Sequence, residues 1–107
     1  MNITKRKPFS PGEILQEEFL TPLGLTQLAL AEKLGVARRR VNEILRAKRS
    51  ISADTAIRLG KLFNMSPEFW LNLQMKWDLW HALQSFDDGF KILPINKKAI
   101  KQISEKK

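Results

Sequence analysis

Helix caps and breakers recur so regularly along this chain that they divide residues 10–84 into five helices. Ser10-Pro11-Gly12-Glu13 opens the first: Ser caps, Pro takes the first helical position, and Glu completes a capping box. The helix is expected to run to about Thr21 and end at Pro22, with Ile14, Leu15, Phe19 and Leu20 at helical spacing and Glu17 and Glu18 turned outward or sideways. Thr26 caps a second helix, Gln27 to Leu34, which Gly35 ends in the left-handed conformation. A third follows after a tight turn, from about Ala37 to Ala47, with Val41, Ile44 and Leu45 inward and a nearly all-cationic outer face. Ser52 caps the fourth, where Asp54 suits the helix dipole and Ile57, Leu59, Leu62 and Phe63 supply core contacts before Asn64. Ser66 and Pro67 start the fifth, which should reach about Gln84.

The fifth helix carries two apolar stripes where a surface helix needs one. Phe69, Trp70, Leu73, Trp77 and Trp80 form the first; Leu71, Met75, Leu79, Ala82 and Leu83 form the second. Gln74, Asp78 and His81 separate them on one side, and Glu68, Asn72 and Lys76 on the other. One stripe can pack on the preceding helices, and the other then needs a partner. A homodimer is the economical partner, since closed two-fold pairs are the commonest oligomers; a tail folded back over the stripe is the alternative. Leu71, Met75, Leu79 and Leu83, with Trp77 and Trp80, are the expected dimer contacts.

The 107 residues suit one core with an appended tail, and 43% hydrophobic with 28% charged residues is ordinary for a globular chain. Nineteen Lys and Arg against eleven Asp and Glu give a net charge of +8, which favours nucleic acid, an anionic membrane surface or an acidic protein. With no cysteine and one histidine, thiolate metal sites are excluded and no metal or cofactor is expected. The first residues are basic without an apolar signal region, and no apolar run nears the roughly 18 residues of a membrane span, so a cytoplasmic protein without a membrane partner is expected. Residues 1–9 read as a basic arm, 10–84 as the domain and 85–107 as a weakly structured tail, in which KILPI can form a short extended piece and KKAIKQI a marginal helical turn.

Function is concentrated in Gln27, Ala31, Gly35, Val41 and Ile44, spaced by four, four, six and three. Small Ala31 lets two helices approach, Gly35 makes the turn without steric penalty, and Val41 and Ile44 anchor the second helix. Together these are the requirements of a helix-turn-helix, whose second helix enters the major groove with its first residues toward the base edges. Arg38, Arg39 and Asn42 then stand where arginine can pair with guanine and asparagine with adenine. Arg46, Lys48 and Arg49 fall later, toward phosphates, and Gln27 meets a phosphate at the start of the preceding helix. A charge run is often only a solvated face. Here residues 36–50 hold six cations and one acid, with Arg dominating, and Arg is the better bidentate reader. Glu43 is either a clamp on Arg39 or Arg46 or an idle surface acid. No catalytic residues are expected: His81 lacks a nucleophile motif beside it, and Glu17-Glu18 and Asp87-Asp88 are adjacent, not facing, carboxylates. The tryptophans can stack on unpaired bases, but their shared stripe points to core or interface.

The segments SPGEILQEEFLTPLGLTQ, LAEKLGV, RRVNEIL, KRSISADTAIRLGKLF, SPEFWLNLQ and DLW resemble the HigA (VapI) antitoxins of the Xre-like helix-turn-helix group, over about residues 8–83. The resemblance implies an all-α, five-helix, lambda-repressor-like fold and a homodimer that binds a palindromic double-stranded operator, represses its own operon and neutralises a HigB-like mRNA-cleaving toxin. It places DNA contacts on Arg38, Arg39, Arg40, Asn42 and Arg46, with Gln27 in support, and dimer contacts on the fifth helix. Two alternatives are a stand-alone Xre-like regulator and a toxin-inhibiting module with secondary DNA binding. Ala37, where relatives often have a polar cap or proline, and the basic Arg38 and Arg46 depart from the family pattern, as does Arg46-Ala47 in place of a small or Gly-containing turn.

Overall fold

A computed structural model describes residues 6–87 and 89–96. Its first helix, α1, is continuous over 11–23 in three segments: Pro11–Leu15, a wide π-turn Gln16–Leu20, and Thr21–Leu23. Ser10 Oγ accepts from the Glu13 N–H at 3.1 Å and the Ser10 N–H donates to Glu13 Oε1 at 3.3 Å, so the capping box forms as its residues require. The expected stop at Pro22 does not occur. In the π-turn the Thr21 N–H bonds five residues back to the Gln16 carbonyl, so the ladder has already left the four-residue register that proline interrupts. Gly24, at φ +64, ends the helix instead.

α2 (Gln27–Leu34) and α3 (Arg38–Leu45) meet at Gly35, whose φ of +70 provides the left-handed turn. Thr26, Ser52 and Ser66 cap α2, α4 (Ala53–Phe63) and α5 (Pro67–Ser85) through side-chain oxygens that accept backbone N–H groups. Leu15, Leu20, Leu30, Ala31, Leu34, Val41, Ile44, Ile51, Ala56, Leu59 and Trp70 form the core. Trp70 lies at its centre, wholly buried, with Phe19 packed 4.5 Å from Phe63 and 5.2 Å from Trp70 between ring centroids. Ile57, expected in this core, is 47% exposed. The inward face of α4 is the Thr55-Ala56-Leu59-Gly60 row, and Ile57 lies about 200° around the helix from Thr55.

Gly12 sets the distance between α1 and the end of α3. A β-carbon there would collide with the Ile44 carbonyl oxygen and stand 2.8 Å from Leu45 Cα. Both are backbone atoms that cannot rotate away. Gly12→Ala is therefore expected to cost about 1–3 kcal/mol of stability, read as a lower midpoint in urea denaturation with an unchanged slope.

The first stripe of α5 turns toward the core at Trp70 and Leu73, while Trp77 and Trp80 remain half-buried and Phe69 exposed. The second stays open beyond Leu71, which packs partly buried against the core: Leu71, Met75, Leu79 and Ala82 join Ile51 along an apolar groove of about 630 Å³. Beyond α5, residues 86–87 and 89–96 form no helix or strand, and Phe86, Phe90, Ile92, Leu93 and Ile95 are all exposed. KILPI thus pairs with no strand among the described residues, and KKAIKQI lies outside them.

Candidate nucleic-acid interface

The α2-turn-α3 unit is held by the five residues whose spacing defined it. Ala31, Val41 and Ile44 are buried, Gly35 makes the turn, and Gln27 opens α2 half-buried. Asn42 Nδ2 donates to Gln27 Oε1 at 3.1 Å. This bond fixes the two amides against each other and leaves the remaining Gln27 donors and the Asn42 acceptor to a ligand on that face.

The cations sort into two groups. Arg38, Arg46 and Lys48 are exposed and make no ion pair among the described residues. Arg39 is also outward, its side chain 85% exposed, with a 3.3 Å contact from Nε to Glu43. Arg49 is held more firmly, with Nε and Nη2 at 2.9 and 2.8 Å from Glu43 Oε1. Glu43 is thus a clamp, on Arg39 as its spacing allows and on Arg49 in place of Arg46. Arg40 turns aside from this face, donating to Asp54 of α4 at 2.9 Å. After α3 the chain turns through Ala47 at φ +56, a left-handed position that costs a non-glycine residue about 1–2 kcal/mol.

The helix-turn-helix family matches residues 16–70. Virulence-associated protein I of Dichelobacter nodosus is 46% identical over 83% of this chain and 82% of its own length. Antitoxin HigA-1 of Vibrio cholerae serotype O1 is 41% identical over 87% of this chain and 88% of its own. The chain belongs to the HigA branch of the helix-turn-helix family. Among solved structures, the Pseudomonas aeruginosa antitoxin HigA with the higBA promoter aligns with this HigA-type chain at a TM-score of 0.77 and 43% identity, covering 83% of this chain and 99% of that one.

In this HigA-type chain Asp54, Arg58 and Gln74, absent from the expected DNA-contact set, steady α3 and its flanking segments. Asp54 accepts from both Arg40 and Arg58, each at 2.9 Å, and Arg58 Nη1 also donates to the Leu34 carbonyl at 2.8 Å. Asp54 and Arg58 stand four apart on one helix, a spacing visible in the sequence; the reach of Arg58 to the end of α2 is not. Gln74 Oε1 of α5 accepts from the Ile51 N–H at 2.8 Å, which ties the α3–α4 connection to α5.

Both acids of the interface titrate below their usual range, Glu43 chiefly through the Arg49 hydrogen bond and Asp54 chiefly through the Arg58 hydrogen bond. A carboxylate with a depressed folded pKa stabilises the fold above its unfolded value, about pH 4, and loses that contribution as pH falls through the depressed one. Both pairs are solvent-exposed, so the contribution is small. Glu43→Gln should therefore lower the melting temperature slightly at neutral pH, with the difference vanishing in strong acid. The same variant releases Arg39 and Arg49 and removes a negative charge from the face. It should bind random duplex DNA several-fold more tightly, with a salt slope steeper by about 0.9 for each arginine that gains a phosphate.

No group of His, Cys, Asp and Glu able to hold a metal occurs among the described residues, and none of their helices is long and apolar enough to cross a membrane.

Proposed function

We propose that this chain is the antitoxin of a type II toxin-antitoxin pair: as a homodimer it binds a palindromic operator, represses its own operon and neutralises a HigB-like, mRNA-cleaving toxin. One observation carries the DNA-binding part: α3 buries Val41 and Ile44 while presenting Arg38 and Arg39 outward, with Arg46 and Lys48 exposed in the connection that follows it. Arg38, Arg39 and Asn42 read bases; Arg46, Lys48 and Arg49 hold phosphates; Gln27 positions Asn42. Arg40 supports through Asp54. The protein acts in the cytoplasm as a binding protein, without catalysis or a cofactor. The family relatives support the antitoxin role, and a HigA structure with the higBA promoter supports operator binding.

Dimerisation uses the open second stripe, Leu71, Met75, Leu79 and Leu83, with Trp80 at its border, while Trp77, about 200° around the helix from Leu79, lines the cleft beside Pro11 and Lys48. Two copies joined there present two α3 helices to successive major grooves, about 34–36 Å apart. Fluorescence anisotropy on a duplex from the chain's own promoter tests the reading. Tight, salt-sensitive binding of a dimer is expected, and a protein that prefers that duplex no more than a scrambled one sinks it. Leu79→Asp should yield a folded monomer by light scattering and abolish the preference for paired half-sites. Co-expression with the adjacent gene product tests the antitoxin role: rescue of growth and a stable complex are expected, and their absence leaves a stand-alone regulator.

A further inference from the structure

Residues 6–9, the described part of the N-terminal arm, do not trail away from the domain. Lys7 Nζ lies 5.2 Å from the centre of the Trp77 ring and 6.0 Å from that of Trp80, so one ammonium rests on two indole faces of α5. A cation over an aromatic face is attracted by the ring quadrupole. The rings occupy one side of the ammonium, whose three N–H donors leave others directed outward. Trp77 also forms one wall of a cleft of about 210 Å³ that Pro11, Lys48, Arg49, Ser50 and Asp78 share. The arm therefore reaches α1 beside the connection that follows the reading helix. Lys48 and Arg49 of the connection line that cleft with Trp77, the ring on which Lys7 rests, and Arg6, Lys7, Lys48 and Arg49 are all exposed. The cleft also holds one acid, Asp78, which accepts from Gln74 Nε2 at 2.8 Å and keeps its charge.

We propose that this arm is a second phosphate clamp, strapped to α5 by the Lys7–Trp77 contact so that Arg6 and Lys7 extend the Lys48-Arg49 contact along the same DNA strand. The proposal rests on the DNA-binding reading above and adds to it a backbone contact outside the helix-turn-helix. Cations that meet only phosphates strengthen binding to all sequences alike and steepen its salt dependence, whereas base readers alter preference. The arm should do the first and not the second.

The full-length chain and its Arg6→Gln/Lys7→Gln variant are compared on two duplexes of equal length, one from the chain's own promoter and one scrambled, across a salt series. Both substitutions lie outside the helices, and equal melting temperatures confirm equal folding. The variant's plot of log affinity against log salt is expected to be shallower by about 1.8 on both duplexes, about 0.9 for each phosphate no longer neutralised, with the promoter-to-scrambled ratio unchanged. A slope within about 0.5 of the parent on both duplexes overturns the proposal. So does a weakening confined to the promoter duplex, which would make the arm a base reader. A parent protein without preference for its promoter refutes the DNA-reading function instead, and the arm is still judged by its slope on the scrambled duplex.

Discussion

Trp70→Ala is expected to remove about 3–5 kcal/mol of stability, a large part of the roughly 5–15 kcal/mol that holds a typical domain folded. For a domain of this size each kcal/mol moves the melting temperature by about 4–8 °C, so the fall should exceed about 12 °C. Trp70 is the largest wholly buried side chain, reaches the core from α5 and packs on Phe19 of α1 and on Phe69. Truncating it therefore loosens the packing between the first and last helices as well as leaving a cavity. Trp70→Phe separates size from polarity. The indole Nε1 is buried with no hydrogen-bond partner among the described residues, and an unsatisfied buried donor costs about 1–3 kcal/mol. Phenylalanine leaves a smaller cavity and removes that donor, so its destabilisation should be at most about half that of alanine. Equal destabilisation by the two variants would mean that the indole nitrogen has a partner in solution, and urea denaturation of both decides it.

The caps made most of this fold legible. Ser10, Thr26, Ser52 and Ser66 each name a helix start because a side-chain oxygen satisfies an N–H that the helix cannot. The helix-turn-helix was legible for a related reason: Ala31, Gly35, Val41 and Ile44 are constrained by local geometry that spacing alone encodes. The misreadings arose where the deciding contact is elsewhere. Pro22 reads as a stop only if the ladder keeps its four-residue register, and the π-turn at Gln16–Leu20 changes that register first. Ile57 reads as core by hydrophobicity, but the packing of α4 favours the small Ala56 and Gly60 faces, where the chain entering α5 comes so close that a β-carbon on Gly60 would stand 2.7 Å from the Met65 carbonyl oxygen. Within the candidate interface the outward residues of α3 were legible from periodicity. The capture of Arg40 by Asp54, of Arg49 by Glu43 and of Lys7 by Trp77 depends on tertiary placement that no single-segment pattern carries.

That division of the arginines makes the second large prediction specific. Arg38→Ala with Arg39→Ala should weaken promoter binding by about 2–6 kcal/mol, at least ~30-fold, since each bidentate base contact is worth about 1–3 kcal/mol. The fold should not notice: both positions are exposed, and surface substitutions of this kind move stability by about 0.5 kcal/mol or less. Arg40→Ala is the contrasting variant. It breaks the 2.9 Å bond to Asp54 that joins α3 to α4, so it should perturb thermal stability at least as much as the double variant while leaving the ranking of DNA sequences unchanged. The measurement is a competition series in which single base pairs of the promoter half-site are altered in turn. Loss of discrimination at particular base pairs is expected for the Arg38/Arg39 variant, because a reader removed from the groove makes the bases it touched equivalent. A uniform weakening across all duplexes would reassign those two arginines to phosphates, and a change of base preference in Arg40→Ala would return Arg40 to the groove despite its bond to Asp54.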